Sequence, residues 1–468
     1  MNTVLQRDRK ATQRERLLGA MVDVAAEDGY AAACIARVIT RAGVSRPTFY
    51  DYFNDRDECF LAAIGEAHGR LLGRVRQLVA AQPPQDAATA AVQALVEFAE
   101  TEPAMARLLF SEAMAAGHRA LDARDATVAE IERIIEDALE QVPAATVLPD
   151  VPARIMLGAS FRLLGCRLRC EQPQLAGLQA ELREWLESYG RPMGEHRWRA
   201  LAAAPLPAAW STVPDSVLRS PAPPTGRRRG ASEAQIVEER RRRVLFALAE
   251  LASENGYGTV TITEIAERAG IDARAFYRIF EGKQQAFTAL AELYFQQMMA
   301  LTAGAFFTPG EWPQRVLAAK LALAACVEQN PALARACFIE GYAGERAAAD
   351  RVEHLTRAFT MFLAEGHQYR EHETPLPRVA LEVIAHANFE LVYHQARASA
   401  APQMAGVLGH SIHLCLAPFI GPRAADELID RELHPSRSAP AGANGSRAHE
   451  GHGHRRRPRA GKPSGEPR

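Results

Sequence analysis

The sequence predicts an all-α protein built as two tandem copies of one helical unit. Three observations carry this. No stretch alternates apolar and polar residues with β-branched enrichment, so no sheet is expected. Apolar residues instead recur at helical spacing along most of the chain. And the chain repeats itself: Gly29 matches Gly256, Tyr30 matches Tyr257, Gly43 matches Gly270, Tyr50 matches Tyr277 and Phe60 matches Phe287, all at one spacing of 227 (29 to 256). Further on, EPAMARLLFSEA (102–113) matches NPALARACFIEG (330–341), now at 228 (102 to 330). One inserted residue over such a span marks duplication of a whole domain, since a solenoid would show a much shorter period.

The bulk numbers agree with two folded units. The chain has 468 residues, 48% hydrophobic and 24% charged, which is enough for each repeat to bury its own core. The net charge of −1 averages unlike regions. A local basic patch is all that DNA binding requires. Seven cysteines are scattered and mostly lie in apolar helical patterns, which reads as buried reduced thiols. The first ten residues, MNTVLQRDRK, lack the apolar run of a signal peptide. No run of about 18 uncharged apolar residues is present. A cytoplasmic protein with no membrane part is the expectation.

In repeat one, the basic stretch at 1–12 offers either a frayed end or an arm on phosphates. A helix over 13–27 follows from Leu17, Met21, Leu18, Val22 and Ala25, and Asp28-Gly29 stops it. A second helix over 33–41 precedes the turn at Gly43. A fourth starts at Asp55, with Glu58 in capping-box spacing. Helices are then predicted over 87–100, 104–115, 123–140, 151–170 and 174–189. Crowded prolines between 190 and 232 read as a linker. In repeat two, Thr261 and Glu264 form a capping box. Later helices are predicted over 284–303, 312–329, 332–342, 347–365, 378–398 and 403–419. The arginines at 227–229 and 240–243 read either as a solvated run or as phosphate contacts. After Arg431 the chain lacks the apolar residues to fold.

The segments RAGVSRPTFYDYF (41–53) and RAGIDARAFYRIF (268–280) each read as the turn and second helix of a helix-turn-helix. Gly43 and Gly270 tolerate positive φ in the turn. Ser45 and Asp272 stand where an N-cap belongs. Phe49, Tyr50 and Phe53, and likewise Phe276, Tyr277 and Phe280, stripe one face. Such a helix is anchored on one side and free on the other, as entry into a major groove requires.

No phosphate-cradling glycine loop, HExxH or GxSxG occurs, and no nucleophile has a base at a useful spacing. Neither an enzyme nor a cofactor is expected. His410 and His413 share a helix without an obvious acidic partner, which reads as structural. Cys166 and Cys170 share a helix face but lack a third ligand nearby.

These segments resemble the TetR family of one-component transcriptional regulators, twice in one chain. The likeness is specific in GVSRPTFYDYF followed by NDRDECF and loose in the remaining helices. It implies the domain bounds: DNA-binding domains at 10–60 and 236–287, helical ligand and dimerisation domains at 61–190 and 288–430, a linker at 191–235 and a basic tail at 431–468. It implies that Arg46, Pro47, Thr48 and Tyr50 face the groove, and that Tyr52 and Arg56 grip phosphates. In repeat two, Ala273, Arg274, Ala275 and Tyr277 take the groove positions, Lys283 matches Arg56 and Thr263 fits a phosphate contact. Ile279 cannot hydrogen-bond as Tyr52 can. The partner implied is a double-stranded DNA operator, and repression is the expected output. The rival reading is a helical interaction scaffold with one or both helix-turn-helices vestigial.

Surplus apolar residues on the middle helices, Phe98, Met105, Phe110, Met114, Phe338, Tyr342, Phe359 and Phe362, motivate an apolar effector pocket beside the plain reading as core. Two assemblies stay open: an intramolecular pseudo-dimer of the two repeats, or a two-chain homodimer in which like repeats pair. The unlike recognition helices, RPTFYDY and ARAFYRI, would make a pseudo-dimer read an asymmetric operator.

Overall fold

The computed structural model describes residues 2–143, 152–171, 173–190, 218, 232–343, 346–370 and 375–433. Most of the expected linker and of the basic tail, including Arg227, Arg228 and Arg229, lies outside these. The described residues form helices and connecting turns, with no strand among them.

Repeat one contains α1 (Asn2–Asp28), α2 (Ile35–Ala42), α3 (Arg46–Tyr50), α4 (Arg56–Ala81), α5 (Ala87–Thr101), α6 (Pro103–Arg107), α7 (Ala113–Ala115), α8 (His118–Leu139), α9 (Ala153–Arg169) and α10 (Leu178–Glu187). Repeat two contains α11 (Glu233–Asn255), α12 (Ile262–Ala269), α13 (Ala273–Tyr277), α14 (Lys283–Phe306), α15 (Trp312–Gln329), α16 (Pro331–Phe338), α17 (Arg346–Ala358), α18 (Ala380–Ala398), α19 (Leu408–Ile420) and α20 (Pro422–Leu433).

Both helix-turn-helices follow the local chemistry of their sequences. Gly43 and Gly270 sit at φ 61 and 66, ending α2 and α12 in the left-handed conformation. There the N–H of Val44 reaches the carbonyl of Ile39 at 3.1 Å, and that of Ile271 reaches Ala266 at 2.9 Å. Each helix end thus has its last carbonyls satisfied. The Ser45 hydroxyl accepts from the Thr48 N–H at 3.2 Å, and the Asp272 carboxylate from Ala275 at 2.7 Å. Phe49 and Phe276 are fully buried and anchor the two short helices.

Several elements depart from expectation. Over 104–115 the helix is interrupted by a π-helical segment, Leu108–Glu112. Gly165 of α9 packs against it so closely that a Cβ there would lie 2.7 Å from the Phe110 carbonyl oxygen. The expected helix over 347–365 stops at Ala358 and gives way to 3₁₀ turns. Helix α20 lies beyond the last predicted helix, which ends at 419. Proline at a first helical position starts a helix, since its missing N–H would have no helical partner there. Glu58 accepts from the N–H of Asn54 at 2.7 Å, so only the Asp55 half of the expected capping box forms. The box at Thr261 and Glu264 is complete.

In each repeat the later helices tie back to the helix-turn-helix segment through one buried carboxylate. Glu112 accepts from the N–H of Tyr30 at 2.9 Å, and Glu340 from that of Tyr257 at 3.0 Å. The two repeats pack against each other chiefly along α9 and α18.

Candidate nucleic-acid interface

The two recognition helices present the same layout. Beneath α3 lie Phe49 and Phe53, with ring centroids 5.7 Å apart, and beneath α13 lie Phe276 and Phe280 at 5.9 Å. On the opposite side Arg46, Pro47 and Tyr50 are exposed, as are Ala273, Arg274 and Tyr277. Tyr50 and Tyr277 are 48% and 58% exposed, among the few large aromatics left in solvent. An exposed phenol beside an exposed guanidinium, on a helix pinned from behind, suits base-edge and phosphate contacts. Thr48 is half-buried, its hydroxyl 2.8 Å from that of Ser45, and Ala275 is buried. Thr263 is exposed on α12.

The cations at the starts of α4 and α14 are held within the protein. Arg56 donates to the Tyr30 hydroxyl at 2.6 Å and to Asp57 at 2.9 Å, with its guanidinium 4.2 Å from the Tyr30 ring centre. Lys283 donates to the carbonyls of Tyr257 at 2.8 Å and Val260 at 2.7 Å, 4.4 Å from the Tyr257 ring centre. Burial lowers the Lys283 ammonium from its ordinary range. Tyr52 donates to Gln13 at 3.2 Å, so its hydroxyl stands beside α1, while Ile279 is half-buried.

Sequence reasoning missed two arginine pairs. Arg16 donates to the Gly43 carbonyl at 3.0 Å, and Arg243 to that of Ala269 at 2.9 Å, each fastening α1 or α11 to the turn. Arg243 is buried, so at that position the phosphate reading gives way to a structural one. Two residues earlier, Arg14 and Arg241 each lie 5.7 Å from the ring centres of Phe53 and Phe280. Both pairs are 227 apart (16 to 243, 14 to 241), so the repeat itself was a signal that could have found them.

The residues expected around an effector pocket divide. Phe338, Phe359 and Phe362 line a cavity of about 70 Å³ among the later helices of repeat two, with Phe295, Met298 and Val316. Lys320 and Asn388 stand in its wall, 2.7 Å apart through an amide hydrogen bond. Tyr342 lies elsewhere and accepts from Arg162 of repeat one at 2.7 Å. Phe98, Phe110 and Met114 are buried, Phe110 against Phe161 at 4.4 Å, and Met105 is half-buried. His413 does have an acidic partner: its Nδ1 is 3.0 Å from Asp426 on α20. Among the described residues no group of three or more His, Cys, Asp or Glu is placed to hold a metal, and no helix is long and apolar enough to cross a membrane.

The model of the bacterial regulatory proteins of the tetR family matches at residues 17–63 and again at 244–290. Each match spans one helix-turn-helix and the start of the helix after it. Both helix-turn-helices are of the tetR-family type. Among curated proteins, this chain is 30% identical over 135 residues to the HTH-type transcriptional repressor KstR of Mycolicibacterium smegmatis, covering 29% of this chain and 65% of that protein. It is 29% identical over 138 residues to the HTH-type transcriptional activator FasR of the same organism, covering 30% of this chain and 62% of that protein. The chain therefore spans less than two thirds of the length of either relative. A solved structure, the fatty acid degradation regulator FadR from Bacillus halodurans, is 16% identical with a TM-score of 0.35, covering 38% of this chain and 94% of that one.

Proposed function

We propose that this chain is a sequence-specific DNA-binding regulator whose two helix-turn-helices act together as a pseudo-dimer. The observation that carries the reading is the paired exposure of Arg46 with Tyr50 and of Arg274 with Tyr277 above buried phenylalanines. The packing of α9 on α18 within one chain supports the pairing. The recognition helices differ, so the operator should have unlike half-sites. Occupancy would exclude competing proteins from that DNA, which makes repression the simplest output. The cavity lined by Phe338, Phe359 and Phe362 supports a small apolar effector acting on repeat two.

The test is a binding titration at fixed salt on DNA selected from a random pool. Arg46→Ala should lose base preference at one half-site and Arg274→Ala at the other, each by roughly 1–3 kcal/mol. Footprints with unlike halves are expected. Unchanged affinity and preference in both variants would refute the assignment of these arginines.

A further inference from the structure

The contact between the two repeats is sorted by charge. Arg124 donates to Glu390 at 2.9 Å. Arg162 lies 3.1 Å from Glu390 and 3.6 Å from Glu353. Arg167 pairs with Glu382 at 2.6 Å, and Arg169 with Asp350 at 3.1 Å. In all of these the cation comes from repeat one and the carboxylate from repeat two. Arg397, paired with Asp122 and Asp125, runs the other way, and Asp122 is 68% exposed there. By contrast Arg124, Arg162, Glu353 and Glu390 are all buried.

The repeat explains why this sorting matters. Phe161 matches Phe389, Arg162 matches Glu390 and Leu163 matches Leu391, at the spacing of 228 (162 to 390) already seen for 102–113 against 330–341. Arg162 and Glu390 are therefore the same position of the unit, and they touch. In a contact related by a two-fold, a position that meets its own counterpart lies near the axis. Pairing like with like through these faces would set Arg162 against Arg162, or Glu390 against Glu390. The surroundings are apolar: the Arg162 guanidinium is 3.5 Å from the Phe389 ring centre. An unpaired buried charge there is strongly unfavourable.

Shape reinforces charge. Gly158 makes room for the Glu390 carboxylate, since a Cβ at Gly158 would lie 2.6 Å from its Oε2. The counterpart of Gly158 in repeat two is His386 (158 to 386), which is fully buried. In a pair of second repeats, an imidazole would occupy the space the carboxylate needs.

We infer that this interface is a pairing code: repeat one is built to bind repeat two and to reject a second copy of itself, as repeat two also does. The inference rests on the reading that the repeats act as a pair, and it adds what selects the partner. Its consequence is that the protein cannot rearrange into a symmetric reader of palindromic DNA by like-with-like pairing.

The test uses the full chain with a protease site placed within 191–231. The intact protein is weighed by native mass spectrometry, cleaved, allowed to exchange in mild urea and weighed again. The cleaved halves are expected to remain as one-to-one pairs of unlike repeats, exceeding like pairs by roughly a hundredfold or more. Like pairs at comparable abundance, or separation into single halves, would overturn the inference. This arm needs no substitution. In a second arm, Arg124→Met with Arg162→Met and Glu390→Met should leave the halves paired but let like pairs appear. Persistence of the full preference would show that charge is not the selector. An intact mass of twice 51.1 kDa with unlike pairs after cleavage would refute the one-chain pseudo-dimer and leave the pairing code standing. A single-chain mass whose halves re-sort into like pairs would do the reverse.

Discussion

Glu340 accepts the main-chain N–H of Tyr257 at 3.0 Å, joining the later helices of repeat two to the first residues after α11. Glu112 does the same for Tyr30 at 2.9 Å in repeat one. Burial raises the Glu340 carboxyl, while the Tyr257 N–H and nearby His118 oppose the rise. Each bond is a buried mechanical link between the later helices of a repeat and its helix-turn-helix. Glu340→Ala or Glu112→Ala should strand a buried N–H and cost about 1–3 kcal/mol. Urea unfolding reads the loss, and amide exchange at Tyr257 or Tyr30 should quicken. Protection unchanged at those amides would mean the links do not seat the helix-turn-helices.

Two glycines should respond in opposite senses. Gly165→Ala drives a Cβ against the Phe110 main chain, and overpacking of that kind costs about 1–3 kcal/mol. Gly69, in the interior of α4, has nothing within 4 Å of an added Cβ. Gly69→Ala should stabilise by roughly 0.5–1 kcal/mol through the unfolded chain's lost freedom. Melting temperatures moving the same way in both variants would contradict this packing.

Stability should fall between pH 6.5 and about 4. Burial and the neighbouring His413 push the His410 imidazole down from 6.5 to about 4. Its folded pKa is depressed, so its contribution is complete above the unfolded value. It is lost as pH falls, because the unfolded chain takes up the proton first. The loss is at most about 3 kcal/mol. His410→Gln should flatten that part of the melting-temperature profile. Glu353 and Glu390 act only further down. Burial would raise both, but His386 with Arg162 and Arg169 at Glu353, and Arg124 with Arg162 at Glu390, outweigh it and hold them below the usual carboxylate range. Their contribution is lost only below that range, so a profile unchanged by His410→Gln would point away from this histidine.

The cavity in repeat two should accept an apolar probe and be closable. At about 70 Å³ with Ala319 in its wall, it is roughly half the volume of an engineered cavity that binds benzene. Xenon should bind there under pressure. Ala319→Leu should abolish that binding and leave affinity for selected DNA unchanged. It should also make the protein insensitive to any effector that releases the parent from DNA. Retained xenon binding in Ala319→Leu would place the site elsewhere.

The helix-turn-helices were readable because their determinants are local. Gly43 ends α2, Ser45 caps α3 and Phe49 buries, all within seven residues, and the second copy repeats the pattern at Gly270, Asp272 and Phe276. Backbone conformation and first-turn hydrogen bonds depend on neighbours in the chain, so the sequence by itself determined an all-α protein of two like units, each with a helix-turn-helix. What depends on neighbours in space came only with the tertiary structure. It brings His413 to Asp426 across two helices and Arg16 to the end of α2, and it interrupts 104–115 with a π turn where α9 presses on Phe110. It gathers Phe338, Phe359 and Phe362 around a cavity and sends Tyr342 to the other repeat instead. It sets Arg162 against Glu390, 228 positions away, because burying a charge is favourable only where the fold delivers its opposite.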